Sequence, residues 1–96
     1  MRWNALGSWS DRGDRQTESF DVTTGSLRLV WRSDSRLRVT LHSSISGRPL
    51  DTVVDVTGAG ADTVRFAAEP RVAYLLIEAD QEGWSLTLEE GIPAPE

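Results

Sequence analysis

This sequence predicts an all-β fold, an antiparallel β-sandwich of about eight strands with a jelly-roll-like arrangement. Three observations carry the prediction. Turn-forming clusters recur about every ten residues, at Asp11–Gln16, Thr23–Ser26, Ser33–Ser35, Ser43–Arg48, Thr57–Ala61, Ala68–Arg71 and Asp80–Gly83. The runs between them alternate apolar with polar residues, the period of a strand with one buried face. No stretch carries the i, i+3, i+4 spacing of an amphipathic helix.

Taken in order, the expected strands are Trp3–Trp9, Thr17–Val22, Leu27–Arg32, Arg36–His42, Leu50–Val56, Thr63–Ala67, Ala73–Glu78 and Trp84–Glu89. Phe20 and Val22 share a face. So do Leu27, Leu29 and Trp31, with Arg28 and Arg32 opposite. Leu37, Val39 and Leu41 point inward, and Arg38, Thr40 and His42 outward. Adjacent Val53 and Val54 call for a bulge or for burial on both faces. Val64 and Phe66 continue the alternation. Ala73–Ile77 is apolar on both faces, as expected of a central strand covered on two sides. Trp84, Leu86 and Leu88 alternate with Ser85, Thr87 and Glu89. The inward set is Phe20, Leu29, Trp31, Val39, Leu41, Val54, Val64, Leu75, Ile77, Trp84 and Leu86. A single domain is expected over residues 1–90, and residues 91–96, rich in Gly and Pro, read as a flexible tail.

The chain has 96 residues, enough for one core without staples, and no cysteine for disulfides or thiolate metal sites. The absence of cysteine fits either redox compartment. A net charge of −5 argues against a nucleic-acid partner. No run of about 20 apolar residues is present, so no membrane insertion is expected. Met1–Ser10 lacks the apolar core of a signal peptide, although an export segment removed upstream is compatible with this reading. All ten basic residues are arginine. Five of them lie in Arg28–Arg48 against one acid, Asp34, whereas Leu50–Glu96 holds two arginines against ten acids.

Groups that carry catalytic chemistry are few. His42 is the one histidine, on an outward strand position, and its neighbours Ser43 and Ser44 do not share its face. The acids Glu89–Glu90 and Glu78–Asp80 suit cross-strand pairing with the arginines better than a two-carboxylate cleft. Asp11 and Asp14, with Glu18, are weak calcium candidates, since their spacing matches no EF-hand loop and turns use Asp for local hydrogen bonds. Arg12-Gly13-Asp14 spells an integrin-recognition tripeptide with nothing else to support it. No enzyme and no cofactor are expected.

Binding candidates are better defined. Trp31 and Trp84 fall on the inward register. Trp3 and Trp9 lie in or beside the first strand, where an exposed indole would form a stacking platform or a partner hot spot. Arg28, Arg32 and Arg38 are expected on one outward face of two adjacent strands, a stripe suited to an acidic partner. The same stripe is complementary to the chain's own acidic second half, which makes self-association an alternative.

Trp9-Ser10, Gly13, Thr17, Phe20, Trp31, Tyr74-Leu75, Ile77 and Trp84–Glu89 together resemble a family of small bacterial β-sandwich domains of unknown function, found in lipoproteins and membrane-anchored or secreted proteins. That family's turn is Trp-Ser-Gly-x-Gly, and here Asp11 replaces its first glycine. Ala73 replaces the first tyrosine of its Tyr-Tyr-Leu-x-Ile strand. A broader likeness, in architecture alone, is to the C-terminal β-sandwich appended to secreted peptidases. The resemblance implies a cell-envelope or secreted location and supplies no site residues. The expected function is therefore a non-catalytic recognition or accessory module binding protein or glycan, with a self-associating structural protein as the alternative.

Overall fold

The computed structural model describes residues 2–93. They form nine strands: β1 (Arg2–Arg12), β2 (Arg15–Gln16), β3 (Phe20–Val22), β4 (Ser26–Ser33), β5 (Leu37–Ser43), β6 (Pro49–Val56), β7 (Gly60–Ala67), β8 (Arg71–Ala79) and β9 (Gly83–Ile92). Their pairing is that of one long nested ribbon. β1 runs antiparallel to β9, β2 and β3 to β8, β4 to β7, and β5 to β6. Wrapping the ribbon then lays β4 beside β9 and β5 beside β8. The first sheet has the order β1-β9-β4-β7, and the second has β2-β8-β5-β6 with β3 also on β8. With β2 and β3 taken as one interrupted strand, this is the double-sheet jelly roll that the strand spacing predicts.

The interruption has a local cause. Between β2 and β3 the Thr17 hydroxyl accepts from the Leu75 amide at 3.0 Å, and the Thr17 amide donates to the Leu75 carbonyl at 2.9 Å. A buried side chain thus replaces part of the ladder; of the expected run Thr17–Val22 only Phe20–Val22 is strand, while β2 falls in the expected turn cluster Asp11–Gln16. The first turn is also tighter than the Asp11–Gln16 cluster implies. β1 continues to Arg12, and Gly13 reverses the chain at φ 72°, a conformation that favours glycine. β9 extends to Ile92, because Gly91 pairs with Trp3 and Ile92 with Arg2. Gly91 and Ile92, expected in the tail, are therefore strand residues, and residues 94–96 of that expected tail lie outside the described part.

The Val53–Val54 pair produces the expected bulge. Val39 faces Val54 and Thr40 faces Thr52, so Val53 has no partner, and both valines are buried. A second bulge at Leu50 follows, between Asp51 and Pro49. β8 departs from expectation. It is central in its sheet, but only its Ala73, Leu75, Ile77 and Ala79 face is buried. Tyr74, Leu76 and Glu78 are half-buried on the outer side, where the Tyr74 ring stacks on His42 at 5.1 Å rather than under a covering layer.

The core between the sheets is built from Leu27, Leu29, Leu37, Val39, Leu41, Leu75, Ile77, Leu86 and Leu88, all essentially inaccessible, with Trp9, Trp31 and Trp84 at its margins. Phe20 and Val64, expected inside, are half-buried against it. One polar side chain joins the inward register of β9. Glu90 is 3% exposed, and its carboxylate accepts from the Thr23 amide (2.7 Å), the Thr23 hydroxyl (2.6 Å) and the Thr24 amide (3.0 Å). These residues lie where the chain crosses from the second sheet to the first. Gly25, next in the crossing, has φ 81°, and a Cβ there would approach the Ala68 carbonyl oxygen to 2.6 Å.

Candidate binding face

A bulge decides where the first two tryptophans go. Trp3 and Trp9 are six positions apart, so an unbroken strand would put them on the same face. In β1, however, Ala5 pairs with Glu89 and Gly7 with Leu88, which leaves Leu6 as an extra residue. The parity changes there. Trp9 turns inward opposite Leu86, and Trp3 turns outward opposite Gly91.

Trp9 is consequently a core residue and presents no platform. It is 6% exposed, packs at 6.2 Å from the Phe20 ring, and donates through Nε1 to the Glu18 carboxylate at 3.1 Å. Its indole lies over Gly7, where a Cβ would approach the ring to 2.5 Å.

Trp3 is half-buried on the outer face of the first sheet. Its partner Gly91 offers no side chain to block it, and the indole meets residues of β4 and β7. The Arg28 guanidinium carbon lies 4.2 Å from the ring centroid, and that of Arg65 lies 5.5 Å away. Arg28 and Arg65 are direct cross-strand partners. Like charges in that position are destabilising. Two contacts offset the repulsion here: the negative face of the indole, and Glu89, which accepts from Arg28 Nε and Nη2 at 3.0 Å each. Arg65 is exposed and makes no ion pair among the described residues. Apart from Arg32, the rest of the face carries small and medium side chains. Its next rows carry Ser8, Thr87, Val30 and Thr63, then Ser10, Ser85, Arg32 and Ala61. Val30, at its centre, is 40% exposed.

Two of the three arginines of the expected stripe are present on this face. Arg28 and Arg32 share this face, and Arg32 pairs with Asp34 at 3.0 Å. Arg38 does not belong to it. β4 and β5 lie in different sheets, so their outward faces point to opposite sides of the molecule. Arg38 instead stands between Asp55 and Glu78 in the second sheet. Arg65 takes the place that Arg38 was expected to fill. Alternation marks Arg65 as outward, but nothing in the sequence shows which strand β7 joins.

The catalytic and metal candidates serve local structure. His42 Nδ1 lies 3.2 Å from the Gly47 carbonyl oxygen. Asp14 accepts from the Ala79 amide at 2.9 Å, and Asp11 from the Arg12 amide at 2.8 Å. Glu18 is held by Trp9. Among the described residues, no three His, Asp or Glu side chains converge as a metal site. In the Arg12-Gly13-Asp14 tripeptide only Gly13 is buried, its amide on the Asp80 carbonyl; Arg12 and Asp14 are exposed, and one Asp14 oxygen is taken by the Ala79 amide.

The geometry defines the class as an antiparallel jelly-roll sandwich with one cationic, indole-bearing sheet face. Comparison with protein-family models, curated proteins and solved structures finds no match.

Proposed function

We propose that this chain is a non-catalytic recognition module that docks an acidic protein surface on the outer face of its first sheet. The observation that carries the reading is the Arg28–Arg65 pair held together by Trp3. It places one guanidinium without an ion-pair partner beside a half-buried aromatic, the composition of an interface hot spot. A protein fits better than a sugar ring, because guanidinium groups already occupy the indole. The family resemblance supports a place at the cell envelope.

A labelled polyglutamate peptide tests this directly by fluorescence anisotropy. Binding is expected to weaken with added salt. Trp3→Ala and Arg65→Ala are expected to reduce affinity by about tenfold or more, and Arg38→Ala, on the opposite side, to leave it unchanged. Arg65→Glu abolishes binding yet melts a few degrees higher, because a carboxylate opposite Arg28 replaces repulsion with a pair that contributes about 0.2–1 kcal/mol. Binding of a neutral glycan through the same residues, with no response to polyglutamate, contradicts the proposal.

A second reading, self-association, is favoured by β7. The other sheet edges are interrupted: β1 by the Leu6 bulge, β6 by Pro49 and two bulges, and β2/β3 by its break. β7 keeps one register over eight residues, with the Asp62 carboxylate on the Thr63 amide (2.7 Å) as the one local guard. Under this reading, sedimentation shows mass rising with concentration and Thr63→Pro suppresses the rise. A concentration-independent monomer excludes it.

A further inference from the structure

A cleft of about 240 Å³ opens at the end of the sandwich where β6 and the β7–β8 connection approach one another. Its apolar wall is Leu50, Ala67 and Ala68 above the fully buried Leu41, and its polar side is Arg71, Glu69 and Asp51. Leu50 is there because of the second β6 bulge, which removes it from pairing and leaves it 38% exposed. Arg71 is there because of register. It pairs with Val22 at the start of β8, on the same inward face as Ala73 and Leu75. An arginine thus points between the sheets at their open end.

Its hydrogen bonding is incomplete. Nη2 donates to Glu69 at 2.8 Å, while Nε is buried without a protein partner. A buried charged donor left unmade is costly. Nε and Nη2 form one side of the planar fork that matches a carboxylate with two parallel bonds. Glu69 takes only half of it, from a side chain that is itself 85% exposed and easily displaced. Asp51 is also exposed, so its repulsion of a single negative charge is screened.

We propose that, on displacement of the exposed Glu69 side chain, this cleft binds a monocarboxylate with a short apolar body, its carboxylate on the Nε and Nη2 of Arg71 and its hydrocarbon against Leu50 and Ala68. The site is separate from the Trp3 face and does not depend on that face having a partner. A free short-chain acid and the C-terminal carboxyl of a peptide offer the same chemistry.

Methyl NMR of Leu50, Ala67 and Ala68 in the intact chain tests it, with hexanoate, N-acetylleucine and hexan-1-ol as probes. Both acids are expected to shift these methyls saturably in the millimolar range. Tighter binding of N-acetylleucine identifies a peptide C-terminus as the source, and tighter binding of hexanoate a free acid. Arg71→Lys, which keeps the charge and loses the fork, is expected to weaken binding on the order of tenfold. Glu69→Ala alters only an exposed side chain and is expected to tighten binding several-fold by freeing Nη2. The proposal is overturned if no shift saturates, if hexan-1-ol binds as well as hexanoate, or if Glu69→Ala leaves affinity unchanged or weaker.

Discussion

Replacing Trp84 with alanine is expected to lower stability by about 3–5 kcal/mol, the range for a large buried aromatic. Against a total of about 5–15 kcal/mol for a natural domain, that removes much of the folded population. The indole is 3% exposed, and its Nε1 donates to the Gly13 carbonyl at 2.9 Å, tying β9 to the first turn. Trp84→Phe separates the two contributions. It keeps most of the apolar area but leaves the Gly13 carbonyl without its donor, at a cost of about 1–3 kcal/mol. Thermal and denaturant unfolding of both variants measures the difference. An alanine variant melting within a degree or two of the parent contradicts the packing described here.

Glu90→Gln is the second large effect, and it depends on pH. Burial alone raises the pKa of the Glu90 carboxyl. The bonds from the Thr23 hydroxyl and amide and from the Thr24 amide outweigh that, and the folded pKa lies below the ordinary value. A depressed carboxylate pKa contributes stability that is complete above the unfolded value, about 4.3, and is lost as pH falls through the folded one. At neutral pH the glutamine variant is expected to be less stable by about 1.5–3 kcal/mol, because its amide nitrogen meets donors where an anion accepted them. Below the ordinary carboxylate range the gap should narrow as Glu90 itself takes a proton. Melting curves from neutral pH down to about pH 3 follow it across that window. A gap that stays constant shows that the effect is packing and not charge.

Much of the fold was legible in the sequence because alternation and turn chemistry are local. Leu29, Trp31, Val39, Leu75, Ile77 and Trp84 are inside for the reason the period gives. Glu90 was misread: expected with Glu89 to pair with the arginines, it continues the inward Trp84, Leu86, Leu88 parity by one step and is bonded by Thr23 and Thr24, whereas Glu89 does pair with Arg28. Strand partnership was not legible. The connection Asp34–Arg36 carries the chain from one sheet to the other, so Arg28 and Arg38, alike in parity, end up on opposite sides. Arg65 becomes the neighbour of Arg28 only through a pairing between residues far apart in the chain. One inserted residue, Leu6, separates Trp3 from Trp9, and no period-2 reading of β1 anticipates it. The two half-buried positions Phe20 and Val64 mark the margins of the core, which alternation does not locate.

Backbone and indole NMR during a polyglutamate titration tests the central claim most directly. The expected result is a saturable, salt-sensitive shift of the Trp3 indole N–H and of the Arg28, Arg65 and Thr87 amides, with Arg38, His42 and Tyr74 on the opposite sheet unmoved. Shifts centred on the second sheet, or none at all at low salt, would show that the Trp3–Arg28–Arg65 face is not where this protein meets an acidic partner.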